Sequence, residues 1–530
     1  MLSDTVSAMK LKLKLTYDQI TLNRVTTVFF LFSIIHCLAQ GIIQSLLFSI
    51  DSQFAGLITE VVHAAEIPLK NITYLEGSSH SYHLRMCNDI PWELSISPCI
   101  DIFQSNVDVR NVTQEAVGLD SAASLSIFQD LNQGFSLSTN RDSSNNSIGV
   151  IFHPKVNTSG ESIFLNKQCT QILVYPKQVL QNAVREDLTS IFLQFWLLGV
   201  SVFAVSQSSV SHILTALGTR ILITAWSAYI TSFRTLNQKT IFYQLVSAPG
   251  TPCSIEMFPT YFGMRQTYDI ADLILSCTAL SLSVLLSWNL LRVYNAQSFN
   301  RVGAPDHIIR VYKFFMAVQA CLQLEVFVLV AALGLWANIL VTTGISQISI
   351  HTQIYNALII TTTVLLIPWI TVGWYGIVRE NKKLMMAFLG ISFFFITGWS
   401  LMFYSIVYRW SFLQWPYLGC FTVASFVLII SSSALGTICW MNFDKGLAQY
   451  LHAEAALASL NFSPEVFEHS DVEKSGKLHA YHEPEYPVPT FDWPAPKAHS
   501  GGNEAGNPLP MPAPLRGPPP VYDKPFSGPF

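Results

Sequence analysis

Eight long apolar stretches, at residues 25–50, 188–207, 210–233, 270–291, 314–340, 354–377, 384–407 and 417–440, constrain this chain more than any other feature. A hydrocarbon core of about 30 Å is crossed by roughly 20 helical residues, and each stretch meets that length. Formal charge enters only three of them, as Arg220, Asp272 and Glu325. Only 12% of the 530 residues are charged while 50% are hydrophobic, and soluble globular proteins carry about twice that share of charge. The expected fold is therefore an all-α polytopic transmembrane bundle of eight spans, arranged as one plus seven. With 30 basic against 34 acidic residues there is no global basic field, so nucleic acid is not an expected partner; the bilayer is.

Lysine and arginine in short loops set orientation, because cationic flanks stay on the cytosolic side. With the N-terminus (1–24) inside, the cytosolic flanks hold Lys10, Lys12, Lys14 and Arg24, then Arg292, Arg301, Arg310 and Lys313, then Arg379, Lys382, Lys383 and Lys445; the opposite short loops hold Arg234, Lys239, Arg265 and Arg409. Both termini are then cytosolic and residues 51–187 lie outside. Residues 207–209 leave room only for a tight helical hairpin between the second and third spans. Cys37 and Ala39 in the first stretch resemble the small residues of a signal-peptide cleavage site, but the apolar run continues to Ile50, longer than a signal's hydrophobic region. An uncleaved anchor at 25–50 is the expectation, followed by a seven-helix bundle over 188–441.

Asn71, Asn111, Asn145 and Asn157 each begin an Asn-x-Ser/Thr sequon, and their clustering within 51–187 agrees with a glycosylated outer domain. Cys87, Cys99 and Cys169 lie in the same segment and Cys253 in another outer loop, an arrangement suited to disulfides on an oxidising side. Spacing leaves all three pairings open. The domain reads as small α+β: a helix over 53–67 and short strands at 148–152 and 172–175. His80 and His83 lack a clear third ligand and read as surface residues.

An ionised side chain at mid-bilayer costs about 2.5–3.5 kcal/mol on insertion scales and normally finds a partner. Arg220 and Glu325 fall ~15 to 17 Å from the same boundary of their spans, so an ion pair between them is geometrically possible, either as a lock between helices or as part of a polar pathway. Gln319 and Gln323 share a helix face, but Glu325 lies about 200° from Gln323 around the helix, which argues against one continuous polar stripe. Pro368 interrupts the sixth span and predicts a bend.

After Trp440, the residues Phe443, Leu447, Tyr450 and Leu451 form one apolar stripe, predicting a juxtamembrane amphipathic helix over 442–460. From 461 to 530 the composition turns to Pro, Gly, Ser and charge, predicting a disordered tail. Pro519-Pro520-Val521-Tyr522 within it matches the PPxY pattern that WW domains accept as a polyproline II segment.

Through GTPCSIEMFPTYF at 250–262, RVGAPDHIIRVYKFF at 301–315 and NFDKGLAQYL at 442–451, the chain resembles a fungal family of multi-pass membrane proteins of unknown function. The resemblance implies a membrane class and carries no activity. HExxH, GxSxG, P-loop and kinase signatures are all missing from the sequence, so neither an enzyme nor a cofactor or metal site is expected. Three readings follow: a receptor-like or sensory protein with an unknown ligand, a transporter or channel using Arg220 and Glu325, and a trafficking protein or ubiquitin-ligase adaptor acting through the tail motif.

Overall fold

A computed structural model of the chain describes residues 23–78, 81–90, 99–104, 135–143, 147–154, 162–302, 306–344 and 352–443, with Tyr17, Ile20, Thr21 and Lys445. Eight helices among them are long and apolar enough to cross a membrane. They are α1 (Arg24–Ala64), α3 (Val174–Ser206), α4 (Val210–Tyr229), α6 (Tyr261–Val302), α7 (Asp306–Thr342), α8 (Thr352–Val378), α9 (Lys382–Tyr404) and α11 (Pro416–Met441). Shorter helices α2 (Lys167–Ile172), α5 (Thr235–Phe242) and α10 (Ile406–Gln414) join them. The eight expected spans are all present. Ile35, Leu38 and Ile42 on α1, Phe192 and Phe195 on α3 and Val364 and Ile367 on α8 are exposed, which suits contact with lipid and not with water.

Several helices overrun the bilayer. The 41 residues of α1 rise about 60 Å, twice a hydrocarbon core. The expected break near residue 50 does not exist: the first span and the helix expected at 53–67 are one uninterrupted rod. Likewise the strand expected at 172–175 is helical, since Ile172 ends α2 and Val174 begins α3. Asn166 caps α2 by accepting from the Cys169 amide at 2.7 Å, and four consecutive apolar residues fit a buried helix as readily as a strand.

The end of α1 beyond the membrane carries two antiparallel three-stranded sheets, one of β1 (Ile72–Ser78), β2 (Ser81–Cys87) and β3 (Cys99–Gln104), the other of β4 (Phe135–Arg141), β5 (Ser147–Pro154) and β6 (Ile163–Asn166). Their apolar faces share one core with the end of α1 and the segment between α5 and α6: Ile58, Tyr82, Leu84, Phe152, Leu165, Leu245 and Phe258 are all buried there. Cys87 bonds Cys99 across the β2–β3 ladder, and Cys169 bonds Cys253. The second bridge fixes the α5–α6 connection to the sheet-bearing region, beside a hydrogen bond of 3.3 Å from Asn166 Nδ2 to the Pro252 carbonyl.

Loops assigned to one side by charge do gather at one end. Arg185 Nη2 donates to Thr342 Oγ1 at 2.7 Å, and Trp415 Nε1 donates to Glu186 Oε1 at 2.5 Å, both at the sheet-bearing end. At the opposite end Phe29, Val205, Ile213, Leu290 and Tyr294 form a separate buried cluster. The α3–α4 hairpin closes there with Ser208 at φ 48° and amide bonds from Gln207, Ser208 and Ser209 to the carbonyls of Phe203, Val205 and Ala204, satisfying the last carbonyls of α3. Close packing elsewhere depends on glycine: a Cβ on Gly373 would lie 2.7 Å from Phe388 Cδ2, and one on Gly436 2.6 Å from Met385 Cε. Small residues let membrane helices approach in this way. The helix α8 runs on through Pro368.

Candidate functional site

One buried face of α1 carries a row of polar residues among apolar ones such as Phe29 and Leu47. Thr26, Ser33, His36, Gln40, Gln44 and Asp51 are all buried, and at 3.6 residues per turn they fall within an arc of about 80°. The neighbours on α4 and α6 answer them. Gln40 Nε2 donates to Asp272 Oδ1 and, at 3.1 Å, to Ser276 Oγ. Ser227 Oγ donates to Asp272 Oδ2 at 2.7 Å. In hydrocarbon an unsatisfied polar group costs several kcal/mol, so such a seam forces these three helices into one register.

At the sheet-bearing end this seam runs into a buried charge network. Arg265, at the start of α6, is paired with Asp51 of α1 and lies 3.9 Å from Asp187 of α3 and 3.7 Å from Asp269 one turn along its own helix. Tyr261 donates its hydroxyl to Asp51 Oδ1 at 3.0 Å, and Thr235 donates to Asp269 Oδ2 at 2.7 Å. Beside it Arg234 pairs with Glu186, whose other oxygen receives Trp415. Arg234 ends a π-helical turn, Ile230–Arg234, that continues α4; the wider turn changes the facing of side chains along a helix. Asp51, Glu186, Asp187 and Asp269 thus face two guanidiniums, with Asp272 deeper along the seam.

Between α3, α4, α6 and α11, against this network, lies a cavity of about 540 Å³. Asp187, Arg265, Asp269, Asp272 and Gln44 are among its polar lining residues, and Trp226, Tyr417 and Phe421 among its aromatic ones. The rings form a contiguous wall, with Trp226 and Tyr417 centroids 5.0 Å apart and Tyr417 and Phe421 4.8 Å apart. Two acceptors on this lining have no hydrogen-bond partner, Asp187 Oδ2 and Gln44 Oε1, on residues only 7% and 5% exposed. Leu222, Tyr229 and Cys420 line the cavity and are also exposed, so it reaches the bundle surface between α4 and α11.

The ion pair that equal depth made possible between Arg220 and Glu325 does not form. Arg220 Nη1 contacts His36 Nδ1 at 3.1 Å and its guanidinium lies 5.0 Å from the centroid of the Phe32 ring. Glu325 is fully buried and accepts from Ser425 Oγ of α11 at 2.5 Å. The reason is angular. Gln323 takes the α7 face toward α4, where Thr215 Oγ1 donates to its Oε1 at 2.9 Å; Glu325, about 200° away, is turned to α11. Equal depth put the two charges at one level but on different faces, and neither lines the cavity.

Cys87, Cys99, Cys169 and Cys253 all pair, as two bridges that spacing had left open. Asn71 is half-buried, with Nδ2 3.5 Å from Met86 Sδ. Asn111, Asn145 and Asn157 and Pro519, Pro520 and Tyr522 lie outside the described residues, as does most of the amphipathic helix expected over 442–460, whose first residues, Asn442 and Phe443, form a turn.

Sequence reasoning passed over Asp51, Asp187, Gln40 and Gln44. The two aspartates sit where apolar runs end and read as boundary markers, whereas the glutamines, spaced four apart with His36 four before and Asp51 seven after, carried a helical period that could have found them. The chain matches no protein-family model, no curated protein and no solved structure. Its own helices identify it: with eight of them apolar enough to span a bilayer, it is an integral membrane protein.

Proposed function

We propose that this protein is a receptor-like membrane protein that holds a small ligand in the cavity between α3, α4, α6 and α11. In this reading the sheet-bearing end faces outside, in keeping with the loop charges and the two disulfides, and the proline-rich tail provides the cytosolic contact. One observation carries it: a cavity of about 540 Å³, within the usual range of ligand sites, lies in the half of the bundle nearer the sheets, and its buried acceptors on Asp187 and Gln44 are unsatisfied. A bound molecule would complete them.

Transport is the second reading, favoured by the polar face of α1, which continues past the cavity from Gln40 to His36 and Arg220. An adaptor role rests on Pro519, Pro520 and Tyr522 alone. The test uses the full chain in lipid nanodiscs, screened against a small-molecule library by thermal stabilisation. Ala424 lines the cavity, and Ala424→Trp is expected to abolish the shift given by true ligands while leaving the unliganded melting temperature within a few degrees. Ligands that stabilise both proteins equally would overturn the cavity as the site. Saturable binding without uptake into sealed vesicles supports the receptor; concentrative or leak uptake that Ala424→Trp stops supports transport instead.

A further inference from the structure

Charge in the network does not balance. Five carboxylates, Asp51, Glu186, Asp187, Asp269 and Asp272, stand within one buried region against Arg234 and Arg265. Glu186 has Arg234 and the Trp415 indole; Asp51 has Arg265 and the Tyr261 hydroxyl. Once those pairs are formed, both guanidiniums are engaged. Asp272 is left with the neutral donors Gln40, Ser227 and Gln44, and Asp269 with Thr235 and a distant Arg265 Nε. Asp187 has least: its Oδ1 is 3.9 Å from Arg265 and its Oδ2 meets nothing. These three least compensated acids are the ones that line the cavity. Desolvation without pairing is among the most costly arrangements for a carboxylate, and either a proton or a bound cation relieves it; the open space beside these three leaves room for the cation.

The character of the missing cation follows from the rest of the lining. Among the described residues no three His, Cys, Asp or Glu side chains converge closely enough to hold a metal ion, so the acids do not form a chelating point. They instead border a space large enough for an organic molecule, and the same lining holds Trp226, Tyr417 and Phe421, whose ring faces attract cations and pack against hydrocarbon alike. The cavity reaches the bundle surface between α4 and α11, where exposed Leu222 and Tyr229 would lie against lipid, a route suited to a molecule with an apolar body. We propose that the ligand is a protonated organic amine, its ammonium group held at Asp187 with Gln44 and Asp272 nearby, and its apolar body laid along the Trp226–Tyr417–Phe421 wall. This rests on the cavity being the binding site and names what it selects.

A matched trio tests it: 4-phenylbutylamine, 4-phenylbutanol and 5-phenylpentanoate share one phenylbutyl body and differ in their head groups, cationic, neutral and anionic. Binding to the full chain in nanodiscs is measured by calorimetry at neutral pH and constant salt. The amine is expected to bind at least about tenfold more tightly than the alcohol, and the carboxylate weakest. Asp187→Asn is expected to remove most of the amine's advantage and leave the alcohol unchanged; the head-group series on the unmodified protein stands if that variant does not fold. Alcohol or carboxylate binding equal to or tighter than amine binding, yet lost in Ala424→Trp, overturns the amine and spares the cavity. Binding indifferent to Ala424→Trp, or absent for all three, overturns the proposal, and the first of these overturns the cavity as well. Sodium or calcium chloride displacing the amine at constant ionic strength, with carboxylate-dependent affinity of its own, assigns the acids to an inorganic ion and also overturns it.

Discussion

Arg265 and Arg220 are both arginines buried among helices, and the molecule treats them oppositely. Three carboxylates from three helices stand around Arg265, whereas Arg220, deeper in the bundle, has a histidine nitrogen and the face of a phenylalanine. At the sheet-bearing end, then, charge is concentrated beyond what its own cations compensate and the space beside it is left open; deeper in, a single charge is dispersed onto neutral neighbours in packed surroundings. The difference separates a region built around polar chemistry from one in which a polar group is accommodated by packing.

The largest effect that could break this comparison is expected from Arg265→Met. Removing one partner of a buried ion pair typically costs about 3–5 kcal/mol because the remaining charge stays uncompensated, and here three acids lose their nearest guanidinium. Little monodisperse protein should survive extraction and size exclusion; a yield and melting temperature equal to wild type would show that the network does not hold the helices together. Next is Cys253→Ser. Loss of a bridge closing a long loop is worth about 2–4 kcal/mol, and should appear as a lower melting temperature with new proteolytic cleavage between α5 and α6. The smallest change is expected from Arg220→Met, which keeps the volume near Phe32 and leaves no acid stranded. With no carboxylate paired to Arg220, its removal leaves no uncompensated buried charge behind, so stability should stay within about 1 kcal/mol of wild type; a loss as large as that from Arg265→Met would erase the distinction between the two sites.

Much of the bundle was legible because lipid imposes a length and an apolarity that a single sequence displays directly. All eight runs became helices, yet their ends did not follow: hydropathy marks where hydrocarbon is and is silent on how far a helix continues, so α1 passes through Asp51 without interruption and residues 172–175 are helical. The cysteines illustrate the same division. Their chemistry pointed to bridges, but which sulfurs meet depends on the α5–α6 connection folding back onto the sheets. For the candidate site, Asp272 was visible as a charge within a span, whereas Asp51, Asp187 and Arg265 became functional candidates only when α1, α3 and α6 were known to be neighbours. Helix adjacency is a property of the packed bundle, and depth alone, as Arg220 and Glu325 show, does not supply it.

The Cys169–Cys253 bridge bears on biosynthesis. Its sulfurs flank a helical pair, one before α3 and the other after α4, so with the outward orientation proposed above this bond closes only after both rods have threaded and the polypeptide has returned to the compartment it left.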